Sequence, residues 1–167
     1  VTAAMFLTPE RAAKACFTRP IWRLADGLLL RADLAGRVTG YGGLAQLGLR
    51  LAVLEGQVQQ QTALGCGIDP ARIAVFADYA AAAGAVLSGE VDAYASVLLA
   101  HRETVARHPA LAAVAVPETE RPRSAGAFAC ATLALRDRLD AALSELLGRA
   151  GHAEMLRRYG LGSDEVP

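Results

Sequence analysis

Strand-like apolar runs alternate with helical segments through the middle of this chain, and this alternation limits the folds open to it. The strand-like runs cover residues 49–54, 72–76, 91–95 and 111–116, and the helical segments cover residues 57–64, 78–88 and 97–107. Strands separated by helices of this length favour a parallel sheet covered by helices. The sequence therefore predicts an α/β fold.

The segments on either side carry strand and helix signals of their own. Thr8 is a typical helix N-cap, Pro9 suits the first helical position and Glu10 lies in the first turn, so a helix should begin here after a strand over residues 1–7. Towards the other end, a strand at 125–131 precedes helices at 133–147 and 153–159. Residues 118–124, with four charges and one proline, form the best linker candidate.

Composition excludes several classes of protein. Hydrophobic residues make up 53% of the chain and charged residues 20%, which is too apolar for a disordered protein. The 17 basic and 17 acidic residues cancel, so no net charge attracts a nucleic-acid backbone and we expect no nucleic-acid partner. Every apolar stretch is shorter than the roughly 20 residues that a membrane helix needs. The sequence shows no signal peptide.

Residue types that carry catalytic or metal chemistry form no recognisable pattern. Cys16, Cys66 and Cys130 are too irregularly spaced for a disulfide framework or a metal site, and we predict that they are buried small hydrophobes. The three histidines are predicted to be exposed on the surface. No dinucleotide loop, phosphate-binding loop or nucleophile elbow occurs. We therefore predict no metal, no cofactor and no catalytic residue.

Four groups of motifs follow one another along the chain. They are Thr-Pro-Glu-Arg at 8–11 with Phe-Thr-Arg-Pro at 17–20, the strand and glycine at 49–56 before a helix, Ser-Gly-Glu-Val-Asp-Ala at 88–93, and the closing stretch from Leu-Arg-Asp at 135–137 to Tyr-Gly-Leu at 159–161. In this order and spacing they resemble the family 3 extracellular solute-binding proteins of bacterial amino-acid importers. The resemblance covers nearly the whole chain.

The resemblance implies an α/β fold of the periplasmic binding protein-like type II class, with two α/β lobes, parallel-type sheets and hinge strands. Residues 1–27 and 118–167 would belong to lobe 1, and residues 28–117 to lobe 2. The strand, helix and second strand with which family members usually begin have no counterpart here, so lobe 1 is expected to be incomplete. Such a lobe exposes strand edges and apolar helix faces, which predicts mobility or a homodimer formed through this lobe.

Two candidate ligand-binding residues lie near the start of the chain. In the resembled family an arginine at the position of Arg11 holds the ligand carboxylate, because a guanidinium offers parallel donors to both oxygens. The alternative is a solvated Arg11, although a basic charge in a first helical turn opposes the helix dipole. Phe6 stands where many members have a serine, and binders of ectoine-like solutes also place a phenylalanine there, where its π face can meet a cation. The alternative is that Phe6 packs in the core.

The candidate residues in the central lobe depart further from the family pattern. Gln57 and Val58 replace a small hydroxyl residue and a threonine at a helix start, so only the backbone donors remain for a ligand carboxylate. Val97 replaces the aspartate that pairs with a ligand ammonium in most amino-acid binders, while Ser96 still offers one hydrogen bond. Asp92 is expected to brace a strand end.

The resemblance implies the substrate-binding component of an ABC importer. It would bind a small carboxylate-bearing solute between its lobes, either an amino acid or a derivative such as an ectoine-like compound. We expect a periplasmic or extracellular location, a membrane permease as partner and no enzymatic activity. The alternatives are a ligand-sensing receptor domain and a degenerate member that binds nothing. A cyclohexadienyl dehydratase-like enzyme is disfavoured, since Glu55 is the only candidate acid.

Overall fold

The computed structural model describes residues 4–120 and 125–161. The chain divides into two compact units: unit 1 comprises Val1–Leu24 and Arg123–Pro167, and unit 2 comprises Ala25–Pro122. The predicted strand residues 1–3 and linker residues 121–124 lie outside the described residues. Among the helices of the described part, none is both long enough and apolar enough to cross a membrane.

Strands and helices alternate along most of the described chain. The strands are β1 (Ala4–Phe6), β2 (Cys16–Phe17), β3 (Asp26–Arg31), β4 (Leu51–Leu54), β5 (Ile73–Phe76), β6 (Ala93–Val97), β7 (Leu111–Ala115) and β8 (Gly126–Cys130). The helices are α1 (Pro9–Ala12), α2 (Tyr41–Leu47), α3 (Val58–Gly65), α4 (Tyr79–Ser88), α5 (Leu98–Arg107), α6 (Leu133–Leu146) and α7 (Ala150–Arg158).

Unit 2 is built on a five-stranded mixed sheet with the strand order β5-β4-β6-β3-β7. Strand β4 runs parallel to both β5 and β6, as the alternating pattern predicts. Strand β3 runs antiparallel to both its neighbours, β6 and β7. The sheet differs from a fully parallel one because no single crossover helix joins β3 to β6 or β7, so neither pair has to be parallel.

Both faces of this sheet are buried. Leu28 and Leu30 pack with residues of α2 and α3 on one face, and Leu29 packs with the alanines of α4 on the other. All three leucines are fully buried. A strand covered on both sides is expected to be a continuous apolar run, which explains why β3 shows no alternation in the sequence.

Unit 1 contains a three-stranded antiparallel sheet with the strand order β1-β8-β2. Thr8 caps α1 as predicted, with its hydroxyl accepting from the Arg11 amide at 3.2 Å. Helices α6 and α7, together with the residue that follows α7, expose several large apolar side chains, namely Leu133, Leu146, Met155 and Tyr159. The prediction that this unit pairs with a second copy stays untested.

The prediction of exposed histidines and buried cysteines is only partly correct. His108 is exposed at the end of α5, whereas His101 and His152 are buried. His101 lies on the face of α5 that packs against the sheet, because it precedes the buried Thr104 by three positions and so shares its side of the helix. Cys130 is buried, while Cys16 and Cys66 are partly exposed.

Candidate ligand-binding site

Arg11 and Phe6 lie together at the end of strand β1 in unit 1. The Arg11 side chain folds back so that its Nη1 donates a hydrogen bond to the Phe6 carbonyl oxygen at 3.0 Å. Both residues are partly buried. A guanidinium carries its N–H donors in a planar fork, the geometry that a carboxylate accepts.

The Phe6 ring packs against Trp22, a residue that the sequence analysis did not single out. The two ring centroids are 5.0 Å apart and the rings are nearly perpendicular, at 86°. Both side chains are partly buried, so Phe6 packs against Trp22 and still has exposed surface. The sequence feature that could have identified Trp22 is its place two positions after the Phe-Thr-Arg-Pro motif.

Gln57 and Val58 lie at the turn between β4 and α3 in unit 2. Gly56 has a φ of +72°, a left-handed conformation that favours glycine and lets the chain turn from strand into helix. Gln57 is the N-cap residue of α3, and its side chain makes no capping hydrogen bond. The Gln57 side chain therefore does not cap the first-turn amides of α3. This agrees with the prediction from the sequence, in which Gln57 replaces a hydroxyl residue.

Ser96 is the penultimate residue of β6 and is only 6% exposed. Because side chains alternate along a strand, Ser96 shares a face with Tyr94. Strands β4 and β6 are parallel neighbours, so their carboxyl ends lie at the same edge of the sheet. Gln57 follows the end of β4, and Ser96 lies at the end of β6. Its predicted role, one hydrogen bond to a ligand, stays a prediction.

A buried carboxylate that the sequence analysis missed lies at this same edge. Asp26 is 1% exposed, and it accepts hydrogen bonds from Tyr41 Oη at 3.2 Å and from Gln59 Nε2 at 3.0 Å. Burial, with the Asp26 carboxylate beside it, raises the pKa of Tyr41 above its ordinary value. In the sheet register Asp26 lies directly opposite Val97, the position where the family resemblance leads one to expect an aspartate.

Asp26 also determines how the first turns of two helices are held. Tyr41 is the first residue of α2, and Gln59 is the second residue of α3. One carboxylate therefore joins both helix starts to the beginning of β3. Asp92 braces a different strand end as expected, accepting from the Arg50 amide at 2.8 Å and from Arg50 Nε at 3.3 Å.

No protein-family profile matches the sequence, and no curated protein matches it. Several solved structures do. EhuB in complex with hydroxyectoine is 24% identical with a TM-score of 0.81, over 96% of this chain and 64% of EhuB. The GluR0 ligand-binding core in complex with L-glutamate is 21% identical with a TM-score of 0.80, over 95% of this chain and 70% of that one.

A third similar structure is an amino acid ABC transporter substrate-binding protein from Streptococcus pneumoniae bound to L-arginine. It is 16% identical with a TM-score of 0.79, over 93% of this chain and 64% of that one. This chain has the type II periplasmic binding protein fold. The fold inferred from the sequence motifs is thereby confirmed, and the chain spans 64% of the length of EhuB.

This type II fold also contains a buried polar cluster on the other face of the unit 2 sheet. His101 Nε2 lies 3.2 Å from the Gly27 carbonyl oxygen, and the Tyr79 hydroxyl lies 3.1 Å from His101 Nδ1 and 3.0 Å from Thr104 Oγ1. A carbonyl can only accept, so Nε2 carries the proton and Nδ1 accepts from Tyr79 in the neutral ring. Thr104 then donates to Tyr79, and the chain of hydrogen bonds is complete.

The cluster disfavours charge. Burial lowers the pKa of His101 to about 4, although the hydrogen bond to Gly27 opposes this shift. Burial raises the pKa of Tyr94, whose ring packs edge-on to His101, to about 12. Within residues 4–120 and 125–161, no group of three His, Cys, Asp or Glu side chains is placed to hold a metal ion.

Proposed function

We propose that this chain is the solute-binding component of an ABC importer. Its ligand is a small carboxylate-bearing solute, either an amino acid or an amino-acid derivative such as an ectoine-like compound. The observation that carries the proposal is the Arg11 guanidinium, bonded to the Phe6 carbonyl oxygen at the end of β1 in a chain with the type II fold. The similar structures were solved with hydroxyectoine, L-glutamate and L-arginine, all of which carry a carboxylate.

Each unit carries candidate residues of its own. Unit 1, as part of lobe 1, provides Arg11 for the ligand carboxylate and Phe6 for the rest of the ligand. Unit 2, as lobe 2, provides the uncapped first turn of α3 at Gln57 and Val58, together with Ser96. Hydrogen bonds to charged groups contribute about 1.5–3 kcal/mol each, so loss of the pair formed by Arg11 should weaken binding measurably.

An importer component of this kind works outside the cytoplasmic membrane. We therefore propose a periplasmic or extracellular location and a membrane permease as the partner. The proposed activity is binding without turnover. The alternative that most deserves comparison is a member that binds nothing, because Val58 and Val97 stand where polar ligand contacts are expected.

A thermal-shift screen against amino acids, ectoines, betaines and simple carboxylates tests the proposal. A solute that binds only the folded state stabilises it by about 2.7 kcal/mol when its concentration is about one hundred times the dissociation constant. We expect one class of solute to raise the melting temperature of the wild type. The shift should disappear in Arg11→Ala and weaken in Arg11→Lys, which keeps the charge but loses the fork.

Arg23→Ala provides the matched control, because Arg23 is an exposed arginine of the same unit. It should keep the full ligand-dependent shift. Absence of a shift with every solute would favour the non-binding alternative. A shift that survives in Arg11→Ala would show that the carboxylate is bound elsewhere.

A further inference from the structure

Helix α7 of unit 1 buries one side and leaves the neighbouring side exposed. Its buried residues are His152 and Leu156, which lie one turn apart. Beside them runs a surface groove with a volume of about 420 Å³. The exposed residues that line this groove are Gly151, Glu154, Met155, Arg158 and Tyr159. Their spacing of i, i+3, i+4, i+7 and i+8 is that of a helix face that packs against another element.

The two ends of this α7 face are complementary in size. A Cβ atom on Gly151 would meet no atom of the described residues within 4 Å, so the first turn of the helix offers open space. Tyr159, directly after the last turn, has a large ring that is 73% exposed. Met155 lies midway between them and is 46% exposed. When two copies of α7 lie antiparallel across Met155, each Tyr159 therefore reaches the Gly151 of the other copy.

The charges on the same face are complementary as well. Within one chain Glu154 pairs with Arg158 Nε at 3.6 Å and, on the side away from the groove, with Arg157 Nη2 at 2.6 Å. In the antiparallel arrangement Glu154 of one copy lies beside Arg158 of the other, and the two-fold symmetry repeats this contact. A two-fold interface needs a patch that is complementary to itself, and the α7 face meets this requirement in both size and charge.

We propose that the protein forms a homodimer in which α7 packs antiparallel against α7 of a second copy, with the two-fold axis at Met155. The second copy is thus the occupant of the groove, and the pairing goes beyond solute binding and does not depend on which solute is bound. Helix α7 has nine residues, so the interface is small. Interfaces below about 1,200 Å² are typical of weak, reversible complexes, which predicts a dimer that forms with rising concentration.

Sedimentation equilibrium from micromolar to millimolar concentration tests the charge arrangement. We expect the wild type to pass from monomer to dimer. Glu154→Arg and Arg158→Glu should each weaken the dimer about tenfold, because either change puts like charges opposite each other at both symmetric contacts. An equimolar mixture of the two variants should form a heterodimer of about wild-type affinity, since both contacts then join opposite charges again.

Arg157→Glu is the matched control for these variants. Arg157 also pairs with Glu154 in α7, but it does not line the groove. The control therefore makes the same change of charge and breaks the same kind of ion pair within the chain. It should dimerise with the affinity of the wild type.

Gly151→Leu separates the stability of the fold from the stability of the dimer. The position is open and helical in the single chain, and leucine favours a helix more than glycine does, so the variant should melt at a higher temperature than the wild type at a concentration where both are monomers. The leucine side chain occupies the place of Tyr159 of the second copy. We therefore expect the dimer to weaken about tenfold although the fold becomes more stable.

Three results would overturn the inference. A wild type that sediments as a monomer at every concentration would show that something other than a second copy covers the α7 face. A dimer that both single charge variants leave unchanged, or that their mixture does not restore, would place the interface elsewhere. Unchanged dimer affinity in Gly151→Leu would exclude the antiparallel packing of Tyr159 on Gly151.

Discussion

Acidification should destabilise unit 2 through one residue, His101. The ring is fully buried in α5, it donates to the Gly27 carbonyl and accepts from Tyr79, and no solvent reaches it. The titratable groups that pack against it are the hydroxyls of Tyr79 and Tyr94, which are neutral and cannot balance an imidazolium charge. Protonation at Nδ1 would also turn an acceptor into a donor opposite the Tyr79 hydroxyl.

The magnitude follows from the lowered pKa. The unfolded chain takes up a proton near the ordinary histidine pKa of 6.5, whereas native His101 does so only near a pKa of about 4. Between these values the unfolded state binds one proton more, so the free energy of unfolding falls by about 1.4 kcal/mol for each pH unit of acidification. The whole window corresponds to about 3 kcal/mol. The contribution of this residue then stays constant below the native pKa.

Urea denaturation of the wild type and His101→Gln at several pH values between 4 and 7 measures this effect. Glutamine can still donate to the Gly27 carbonyl, but it does not titrate. Three of the four tyrosines lie in unit 2 and the fourth, Tyr159, is exposed in unit 1, so near-ultraviolet circular dichroism of tyrosine follows mainly unit 2, while Trp22 fluorescence follows unit 1.

The stability difference between the two proteins should change by about 3 kcal/mol across this window, with the wild type losing more as the pH falls. His108→Gln is the matched control, because it removes an exposed histidine from the end of the same helix and keeps His101. A wild-type curve that runs parallel to that of His101→Gln would refute the reasoning. So would a His101 imidazole NMR signal that titrates near the ordinary pKa of 6.5.

Three further predictions concern packing, buried charge and self-association. Gly27→Ala places a Cβ 2.7 Å from the α5 backbone, so it should lower the melting temperature and reduce the free energy of unfolding by about 1–3 kcal/mol. Gly84→Ala, at an open helical position, should instead raise the free energy of unfolding by about 0.4–1 kcal/mol. Asp26→Ala leaves two buried donors without their acceptor and should cost about 3 kcal/mol or more in urea denaturation, against less than about 1 kcal/mol for the exposed Asp33→Ala. Light scattering should give twice the monomer mass if α6 and α7 pair with a second copy, and Tyr159→Lys, at a side chain that is 73% exposed, should reduce it; a monomer at every concentration would contradict that prediction.

Local signals account for the parts of the fold that were predicted correctly. The cap of α1 at Thr8 and the alternation of strands with helices both depend on residues a few positions apart. Such relations can be recognised in the sequence because a cap and its helix are adjacent. The antiparallel direction of β3 depends on strands more than sixty residues away, and no local pattern contains it.

The burial of His101 could not be predicted for a related reason. Its neighbours Arg102 and Glu103 are exposed, so this part of α5 has the composition of a surface helix. The face that is buried is decided by the packing of α5 against β3 and β7, which is a tertiary property. A histidine is tolerated there only because Gly27 and Tyr79 satisfy both ring nitrogens.

The candidate site illustrates the same limit at a single position. In the sequence, Val97 stands where the resembled family has an aspartate, which indicates that a carboxylate is missing from the site. That interpretation considers the positions of one strand only. The sheet places Asp26 directly opposite Val97, so a carboxylate does lie at this place, supplied by the neighbouring antiparallel strand and bound to Tyr41 and Gln59. A residue's absence from a sequence motif therefore does not establish that its chemical group is absent from the corresponding place in the fold, since cross-strand neighbours lie about 5 Å apart.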